Sequence, residues 1–422
     1  MNIVLLSGGS GKRLWPLSND IRSKQFIKFF NNDNDYESMV QRVYRQIVDM
    51  DSNAKVTVAT SETQVPAIKN QLGDNVGISI EPCRRDTFPA IALATMYMHD
   101  VLEVSEEESV VVCPVDPYVE KDYFEMLKKL SDQADKGEAN LVLMGIEPTE
   151  PSEKFGYIIP CDKNDVSMVN TFKEKPTTEV AKEYISQGAL WNGGVFAYKL
   201  KYLMNKAHEL IDFVDYEDLF NKYDTLTKIS FDYAVAEKEP LIQVMRFSGK
   251  WEDLGTWNAL VDTIEDDVIG NAVLSEGCKD THVVNELEIP VFCMNTNNLV
   301  VAVGYDGILI SDKESSDGIK SYVDKIEQPV MYSEEEWGRI KILTISEENT
   351  VRKLELMKNA ELVIDKALND SVFTVLTGSV KVSCENNTST YNTGDVFKVG
   401  QDKKCIIQSD DESKLICVEI LK

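Results

Sequence analysis

The stretch around which this chain is organised runs from residue 5 to residue 28 and reads LLSGGSGKRLWPLSNDIRSKQFIK. It begins as the apolar end of a strand and turns into a glycine-rich loop, whose backbone N–H groups can point toward a bound anion. Arg13 and Lys24 add a bidentate donor and a compact positive charge, which suit polyphosphate. The stretch therefore predicts a phosphate-binding loop. Its expected contact residues are Ser7, Gly8, Gly9, Gly11, Lys12, Arg13 and Lys24.

Spacing excludes two common phosphate loops. A Walker A loop needs glycine where Leu6 stands, and it needs Ser or Thr where Arg13 stands. A dinucleotide-binding fingerprint that starts at Gly9 needs glycine where Leu14 stands. A glycine-rich turn without a ligand is the remaining alternative, and it does not account for the two cations.

The pattern GGxGxRLxPL, followed by SKQF, resembles the signature of the sugar-1-phosphate nucleotidylyltransferases. Trp15 and the run Lys24-Gln25-Phe26 narrow the resemblance to the mannose-1-phosphate guanylyltransferases of the long bacterial type. The resemblance implies that GTP and mannose 1-phosphate are the substrates, that GDP-mannose and pyrophosphate are the products, and that Mg²⁺ is the cofactor.

Composition bounds the class of protein. A chain of 422 residues is too long for one core and predicts two or three domains. The net charge of −27 argues against nucleic acid and anionic membrane as partners, because both require a basic surface. No apolar run approaches the roughly 20 residues that span a bilayer, and the first residues lack a signal peptide, so a cytoplasmic location is predicted.

The cysteine pattern points to free thiols. Eight cysteines are scattered singly without a CxxC motif. We therefore expect neither a disulfide framework nor a zinc site, and a reducing compartment is the default for such a chain.

Residues 1–265 alternate between strand-like and helix-like patterns, which predicts an α/β, Rossmann-like nucleotidyltransferase domain with a mostly parallel sheet. The strand-like runs lie at residues 3–6, 56–59, 78–80, 110–113 and 141–145. Ligands bind outside the carboxyl ends of the strands in such sheets. The chemistry is therefore expected at that edge.

The remaining chain reads as β structure. Residues 266–330 predict a small connector of β-helix type, and residues 331–422 predict an all-β, cupin-like domain of jelly-roll form. In relatives this last position holds a phosphomannose isomerase whose metal is bound by histidines. All three histidines, His99, His208 and His282, precede it here. We therefore expect a degenerate cupin without isomerase activity, which serves packing, dimerisation or regulation.

Residues 81–90, EPCRRDTFPA, resemble the family segment that lines the nucleotide base, which implies that Arg85, Asp86 and Thr87 bind nucleotide. Asp86 and Phe88 depart from the family pattern, and Phe88 adds bulk near the expected base. Asp86 could equally cap the helix that begins near Pro89.

Two aspartates are the candidate metal ligands. Asp116 ends an apolar strand, and the resemblance makes it a magnesium ligand, although an aspartate in this position is often a turn residue. Asp253 lies in WEDLGTW, which resembles the motif that carries the second magnesium carboxylate. The two would meet only at the carboxyl edge of the sheet.

Three later motifs resemble the sugar-phosphate site of the family, which implies that Gly156, Glu174, Lys175 and Asn192 bind the sugar phosphate. A solvated charged face is the alternative for Glu174 and Lys175. Gly193 and Val195 depart from the family pattern and are expected to alter the pocket wall. Asp232 fits either a helix cap or a part in catalysis.

The catalytic set implied by the resemblance is Arg13, Lys24, Asp116, Lys175 and Asp253. Such residues position the substrates and neutralise charge during in-line transfer. One alternative keeps the reaction but changes the sugar or the nucleotide. Another is a non-catalytic regulatory protein that binds sugar nucleotide. Relatives are commonly dimeric, so a homodimer is expected.

Overall fold

The structure, a computed structural model, describes residues 1–9, 12–19, 21–33, 35–385 and 387–421. The chain divides into two compact units. The first comprises Met1–Gly9, Lys28–Val65 and Leu72–Gly255, and the second comprises Ser10–Ile27, Pro66–Gln71 and Thr256–Lys422. The two boundaries between the three predicted domains stay predictions.

Thirteen strands are described in the first unit. They are β1 (Asn2–Leu6), β2 (Lys28–Asn32), β3 (Asp35–Ser38), β4 (Lys55–Ser61), β5 (Gly77–Glu81), β6 (Ser109–Pro114), β7 (Pro117–Val119), β8 (Leu141–Ile146), β9 (Gly156–Pro160), β10 (Val166–Lys173), β11 (Leu190–Lys199), β12 (Ile242–Phe247) and β13 (Trp251–Asp253).

Helices alternate with these strands. Up to residue 255 they are α1 (Met39–Met50), α2 (Val65–Leu72), α3 (Thr87–Asp100), α4 (Lys121–Asp135), α5 (Thr178–Ser186), α6 (Leu200–Leu210) and α7 (Tyr216–Asn221). A π-helical turn covers Asp232–Ala236.

The described residues form a nine-stranded sheet in the order β5-β4-β1-β6-β11-β8-β12-β10-β9. Only β10 and β11 run against the other seven strands. The predicted strand runs all fall within β1, β4, β5, β6 and β8. Strands β1, β6 and β8 are apolar over most of their length because both faces of the sheet are covered there. The predicted mostly parallel sheet is confirmed.

Two helices illustrate how the sequence dictates local structure. Helix α1 begins at a capping box, in which Ser38 and Gln41 satisfy each other's backbone N–H groups. It buries one apolar face through Met39, Val43 and Ile47. Helix α3 is apolar on almost every side, because it lies between the sheet and other helices. None of the helices in the described ranges is long and apolar enough to cross a bilayer.

The second unit is mainly β. Its described strands are β14 (Val268–Gly270), β15 (Ala272–Leu274), β16 (Lys279–Asn285), β17 (Val291–Cys293), β18 (Asn297–Gly304), β19 (Gly307–Asp312), β20 (Tyr332–Glu335), β21 (Gly338–Ile345), β22 (Asn349–Leu356), β23 (Ala360–Ile364), β24 (Asp370–Thr377), β25 (Ser379–Cys384), β26 (Asn387–Asn392), β27 (Val396–Val399), β28 (Cys405–Ser409) and β29 (Ser413–Ile420). Its described helices are α8 (Trp257–Thr263) and α9 (Lys320–Val323).

Two kinds of strand pairing divide this unit. Strands β14, β16 and β18 pair in parallel, as do β15 and β17, which is the stacking expected of successive coils. From β20 onward every described pairing is antiparallel, in one sheet of six strands and another of four. The predicted all-β C-terminal region is confirmed.

The core of this antiparallel region is apolar. Phe373 and Phe397 stack with ring centres 4.9 Å apart, and Tyr391 packs on Phe397 at 4.7 Å. Residues 370–384 form two strands, β24 and β25. Gly378, with φ +81°, ends β24 and begins the turn into β25, because a Cβ there would collide with Ser413.

One cysteine expectation is also wrong. Cys384 on β25 and Cys405 on β28 are directly opposite in the antiparallel ladder and form a disulfide. No CxxC motif signals this pair because 21 residues separate the two positions and only strand pairing brings them together.

We predict that the unfolded, non-reduced protein alkylates at six of its eight cysteines, and at all eight after reduction. A mass spectrum after iodoacetamide treatment measures this. Cys405→Ser is expected to cost about 3 kcal/mol of stability, since the disulfide restricts the unfolded chain. Alkylation of all eight cysteines without reductant would contradict the pairing.

Candidate functional site

The candidate site lies at the carboxyl edge of the sheet in the first unit. Strand β11 places Asn192 there, opposite Gly145 at the end of β8 and opposite Gly156 at the start of β9. The two glycines leave Asn192 flanked by backbone rather than by side chains. This edge is where a sheet with mostly parallel strands is expected to bind its ligands.

Both atoms of the Asn192 amide are engaged. Its nitrogen donates to Asp232 Oδ1 at 2.7 Å, and its oxygen accepts from the Gly194 N–H at 3.1 Å. These two bonds fix the orientation of the side chain. Asn192 therefore offers a ligand a preorganised polar surface.

Glu174 follows the end of β10 and points into the same place. Its side chain is 6% exposed, and Oε1 accepts from Lys175 Nζ at 2.6 Å. No group in the described ranges hydrogen-bonds to the other oxygen, Oε2, although it is buried. A Cβ at Gly156 would collide with this oxygen. A buried carboxylate oxygen without a partner is costly, so the site is suited to a ligand that donates a hydrogen bond.

Lys175 is held in an unusual conformation. Its φ is +46°, in the left-handed region that non-glycine residues rarely adopt, and such outliers cluster at functional sites. Partial burial opposes its charge, but the ion pair with Glu174 outweighs burial and raises the Lys175 pKa. More than half of the side chain is exposed, so the ammonium group stays charged and open to a ligand.

Asp232 completes the cluster, and the helix-cap interpretation of it is wrong. It lies inside the π-helical turn and accepts the Asn192 amide. Burial, followed by the nearby Glu174 carboxylate, raises the pKa of Asp232 to about 6, against the lowering effect of Asn192. A π-helical turn often marks a functional site. The sequence signal that could have identified Asp232 was its motif, SFDYAVAEK.

Three aromatic rings pack together near the start of β11. Phe155 lies 4.8 Å from Trp191 and 5.3 Å from Trp251, measured between ring centres. Trp191 donates to the Tyr157 hydroxyl at 3.0 Å, whereas the buried Trp251 indole N–H has no hydrogen-bond partner among the described residues. Trp191 and Asn192 are neighbours on β11, so these rings lie on the face of the sheet opposite to Asn192. Of the predicted sugar-phosphate residues, Gly156, Glu174, Lys175 and Asn192 are brought together by the contacts given above.

Asp116 and Asp253 meet across a short ladder. Strands β7 and β13 pair antiparallel, with Asp253 opposite Pro117, the residue after Asp116. The two aspartates therefore lie at the same end of the ladder, although 137 positions separate them in sequence (253 − 116). Beneath them, burial and the neighbouring Cys113 and Asp116 raise the pKa of Tyr123 well above its ordinary value.

The predicted base-binding segment is tied to a nearby loop. Asp86 caps α3 by accepting the Thr87 N–H at 2.8 Å, and its φ is +70°. Arg85 donates to the Asp224 carbonyl, and the Thr87 hydroxyl accepts the Phe231 N–H at 2.8 Å. These contacts hold the segment in place, and whether it binds a nucleotide stays a prediction.

Two of the expected pocket changes are wrong. The Phe88 side chain is 3% exposed and belongs to the core cluster between the sheet and α3. Val195 has no exposed surface and faces the core. The Val195 side chain therefore adds no surface to a binding site, and the Phe88 side chain is almost fully enclosed by the core.

The first part of the glycine-rich loop follows β1. The Ser7 N–H donates to the Ala59 carbonyl at 2.9 Å, so it extends the pairing with β4 and is not directed at an anion. Gly8 and Gly9 are exposed, and Gly8 lies beside Glu81, whose carboxylate accepts the Tyr223 hydroxyl at 2.8 Å. Gly11 lies outside the described residues.

The predicted cations of the loop belong to the second unit. Lys12 and Arg13 form a short 3-10 turn, in which the Lys12 ammonium lies 3.6 Å from an Asp324 carboxylate oxygen. Lys24 begins a second 3-10 turn. Their roles toward phosphate stay predictions.

Comparison with known proteins identifies one family and several similar proteins. The sequence profile of a family described as nucleotidyl transferase matches residues 2–268. A mannose-1-phosphate guanylyltransferase of Escherichia coli is 28% identical, over 82% of this chain and 81% of its own length. The xanthan biosynthesis protein XanB of Xanthomonas campestris pv. campestris is 28% identical, over 80% of this chain and 75% of its own length.

A solved structure supports the same conclusion. The crystal structure of a protein from Thermus thermophilus, described as mannose-1-phosphate geranyltransferase, is 28% identical with a TM-score of 0.63. The match covers 78% of this chain and 99% of that one. The predicted resemblance and the predicted fold class are confirmed.

We predict that Asp232→Asn raises the stability at pH 7 by up to about 3 kcal/mol. The folded pKa of about 6 lies above the ordinary 3.8, so the wild-type loses stability as pH rises through this window. The asparagine variant does not titrate there. Thermal denaturation from pH 3.5 to 7 measures the difference, which should vanish at the acid end.

Asp74→Asn is the matched control, because it removes an exposed carboxylate of the same unit. The stability of this variant should depend on pH in the same way as that of the wild-type. If Asp232→Asn behaved like this control, Asp232 would not carry the buried charge inferred here.

Proposed function

This chain belongs to the nucleotidyl transferase family, and on that premise we propose that it makes GDP-mannose and pyrophosphate from GTP and mannose 1-phosphate. The coarser activity, nucleotidyl transfer to a sugar 1-phosphate, follows from the family and the similar proteins. The choice of guanine and mannose is the proposed part. It is supported by the names of the similar proteins.

The observation that carries the proposal is the unpaired oxygen of Glu174. It is buried beside Gly156 and close to Asn192 and Asp232, so carboxylate and amide groups converge on one small space. A sugar ring presents several hydroxyl donors and an apolar face. The hydroxyls match these acceptors.

In this proposal an oxygen of the sugar phosphate attacks the α-phosphorus of the nucleotide in line, and pyrophosphate leaves. Lys175, whose raised pKa keeps it charged, holds the attacking phosphate next to the sugar. Arg13 and Lys24 neutralise charge on the departing phosphates. Positioning and neutralisation account for most of the rate enhancement in such transfers, and no covalent nucleophile is required.

Magnesium fits the two aspartates that meet at the ladder of β7 and β13. Hard oxygen ligands suit this cation, which commonly takes one or two carboxylates and completes its shell with phosphate oxygens and water. When bound by Asp116 and Asp253, the ion would neutralise charge on the reacting phosphates.

A homodimer and a cytoplasmic location belong to the same proposal. The homodimer rests on the resemblance to the family, and the cytoplasmic location rests on the sequence observations given above. The C-terminal β region is proposed to serve packing, dimerisation or regulation.

The experiment that tests the function is pyrophosphate release with Mg²⁺ and mannose 1-phosphate, with GTP, ATP, UTP and CTP offered separately. We expect release with GTP and none after chelation of the metal. If more pyrophosphate is released with another nucleotide than with GTP, the base of that nucleotide would replace guanine in the proposal. No release with any nucleotide or sugar phosphate would favour the regulatory alternative.

We predict that Lys24→Ala lowers the turnover rate by about 10²–10³-fold, because one preorganised charge on the leaving group is lost. Lys28→Ala removes an exposed lysine four positions away and serves as the control. Turnover by Lys24→Ala within a few fold of the control would remove Lys24 from the catalytic set.

We also predict that Gly156→Ala raises KM for the sugar phosphate by about 10- to 100-fold, because the added methyl group displaces the Glu174 carboxylate. KM for the nucleotide should stay near the wild-type value. Gly318→Ala is the control, since a methyl group there meets no atom within 4 Å. Equal increases in both KM values would indicate general damage to the fold rather than a sugar site.

A further inference from the structure

A second cavity, of about 430 Å³, lies in the first unit. Its walls come from the start of α3, the end of α6, the segment after α7 and the π-helical turn. None of its lining residues is among those assigned above to nucleotide, sugar or metal. The volume is within the range of roughly 300–1,000 Å³ that is typical of small-molecule sites.

The interior of this cavity is apolar and its mouth carries charge. Phe88 and Ala234 are almost fully buried, and Ile211, Leu226 and Ile229 add aliphatic surface. An apolar space of this size favours a planar or branched hydrocarbon body over a strongly hydrated ligand.

Two lysines and one aspartate lie at the mouth. Lys222 Nζ is already bound to Asp218 at 2.8 Å and to the Asp212 carbonyl at 3.3 Å. Lys238 is exposed, and no carboxylate of the described residues forms an ion pair with it. Lys238 therefore offers a charge for an anionic group whose apolar body enters the cavity.

The cavity wall is joined to the predicted base-binding segment. The Ile229 N–H donates to the Arg85 carbonyl at 3.3 Å, and the Phe88 N–H donates to the Ile229 carbonyl at 3.2 Å. The Phe231 N–H reaches the Thr87 hydroxyl, as described above. A ligand that moves Ile229 or Phe88 therefore moves the segment at 85–87.

We propose that this cavity is a second ligand site, which takes a small amphipathic anion with its apolar body inside and its anionic group at Lys238. Occupancy shifts the segment at 85–87 and so changes the affinity for the nucleotide. The proposal that the cavity binds a ligand is argued from the cavity and Lys238 alone, whereas the effect on nucleotide affinity rests on the proposed function.

The binding experiment titrates the full chain with 8-anilinonaphthalene-1-sulfonate, a fused apolar ring system with one anionic group. Thr227→Phe narrows the cavity from an exposed lining position, and Lys238→Glu reverses the charge at its mouth. Both should weaken binding by roughly tenfold or more. Lys228→Phe and Lys228→Glu are the matched controls, because Lys228 is exposed, adjacent and outside the lining.

We expect the probe to saturate at one site per chain, and its affinity to fall only in Thr227→Phe and Lys238→Glu. Equal affinity in all four variants and the wild-type would overturn the site. Probe binding does not depend on turnover. It therefore shows whether the cavity binds a ligand even if no pyrophosphate is released.

The coupling has its own readout. With saturating probe, KM for the nucleotide should change severalfold in the wild-type and in Lys228→Phe, and stay constant in Thr227→Phe. An unchanged KM in the wild-type while the probe is bound would overturn the coupling and leave the binding result intact.

Discussion

The backbone pairing of β11 is the constraint on which the candidate site depends. This strand runs against both β6 and β8, and its first residues also pair with β9. Because buried backbone groups must be hydrogen-bonded, the register of β11 leaves little freedom. Asn192 is thereby fixed between Gly145 and Gly156 at the carboxyl edge. Glu174 and Asp232 reach the same place from β10 and from the π-helical turn.

The cluster so formed is electrostatically costly. Burial disfavours the charged form of Asp232, and repulsion from Glu174 adds to this cost, which is why the Asp232 proton is held to an unusually high pH. The ion pair between Lys175 and Glu174 offsets only part of this electrostatic cost. The backbone of Lys175 is itself in the left-handed region. A site with buried charge, an unpaired oxygen and local strain is less stable than an apolar core would be. Such compromises are typical of sites that are organised in advance for a ligand.

Much of the fold could be predicted from sequence, because apolar runs and their spacing report local structure directly. The strands of the parallel sheet, the helices after Ser38 and Asp86, and the β character of the C-terminal region follow from such patterns. The errors have one physical origin. Phe88 and Val195 differ from the family pattern, yet only packing shows that both face the core. The Ser7 N–H was assigned to an anion, but it pairs with β4. Cys384 and Cys405 carry no local signal, since the pairing of β25 with β28 brings them together.

The sequence by itself determined the elements and the family, because motifs such as the glycine-rich stretch keep their residue types wherever they lie in space. It also indicated the four residues of the sugar-phosphate cluster, which lie in three separate motifs. Only the tertiary structure decided that these residues converge, that Asp232 joins them, and that Asp116 and Asp253 lie at the same end of the ladder of β7 and β13. It alone placed a second cavity behind the segment at 85–87. Convergence depends on strand order and register, which are set by long-range pairing and packing that no local pattern encodes.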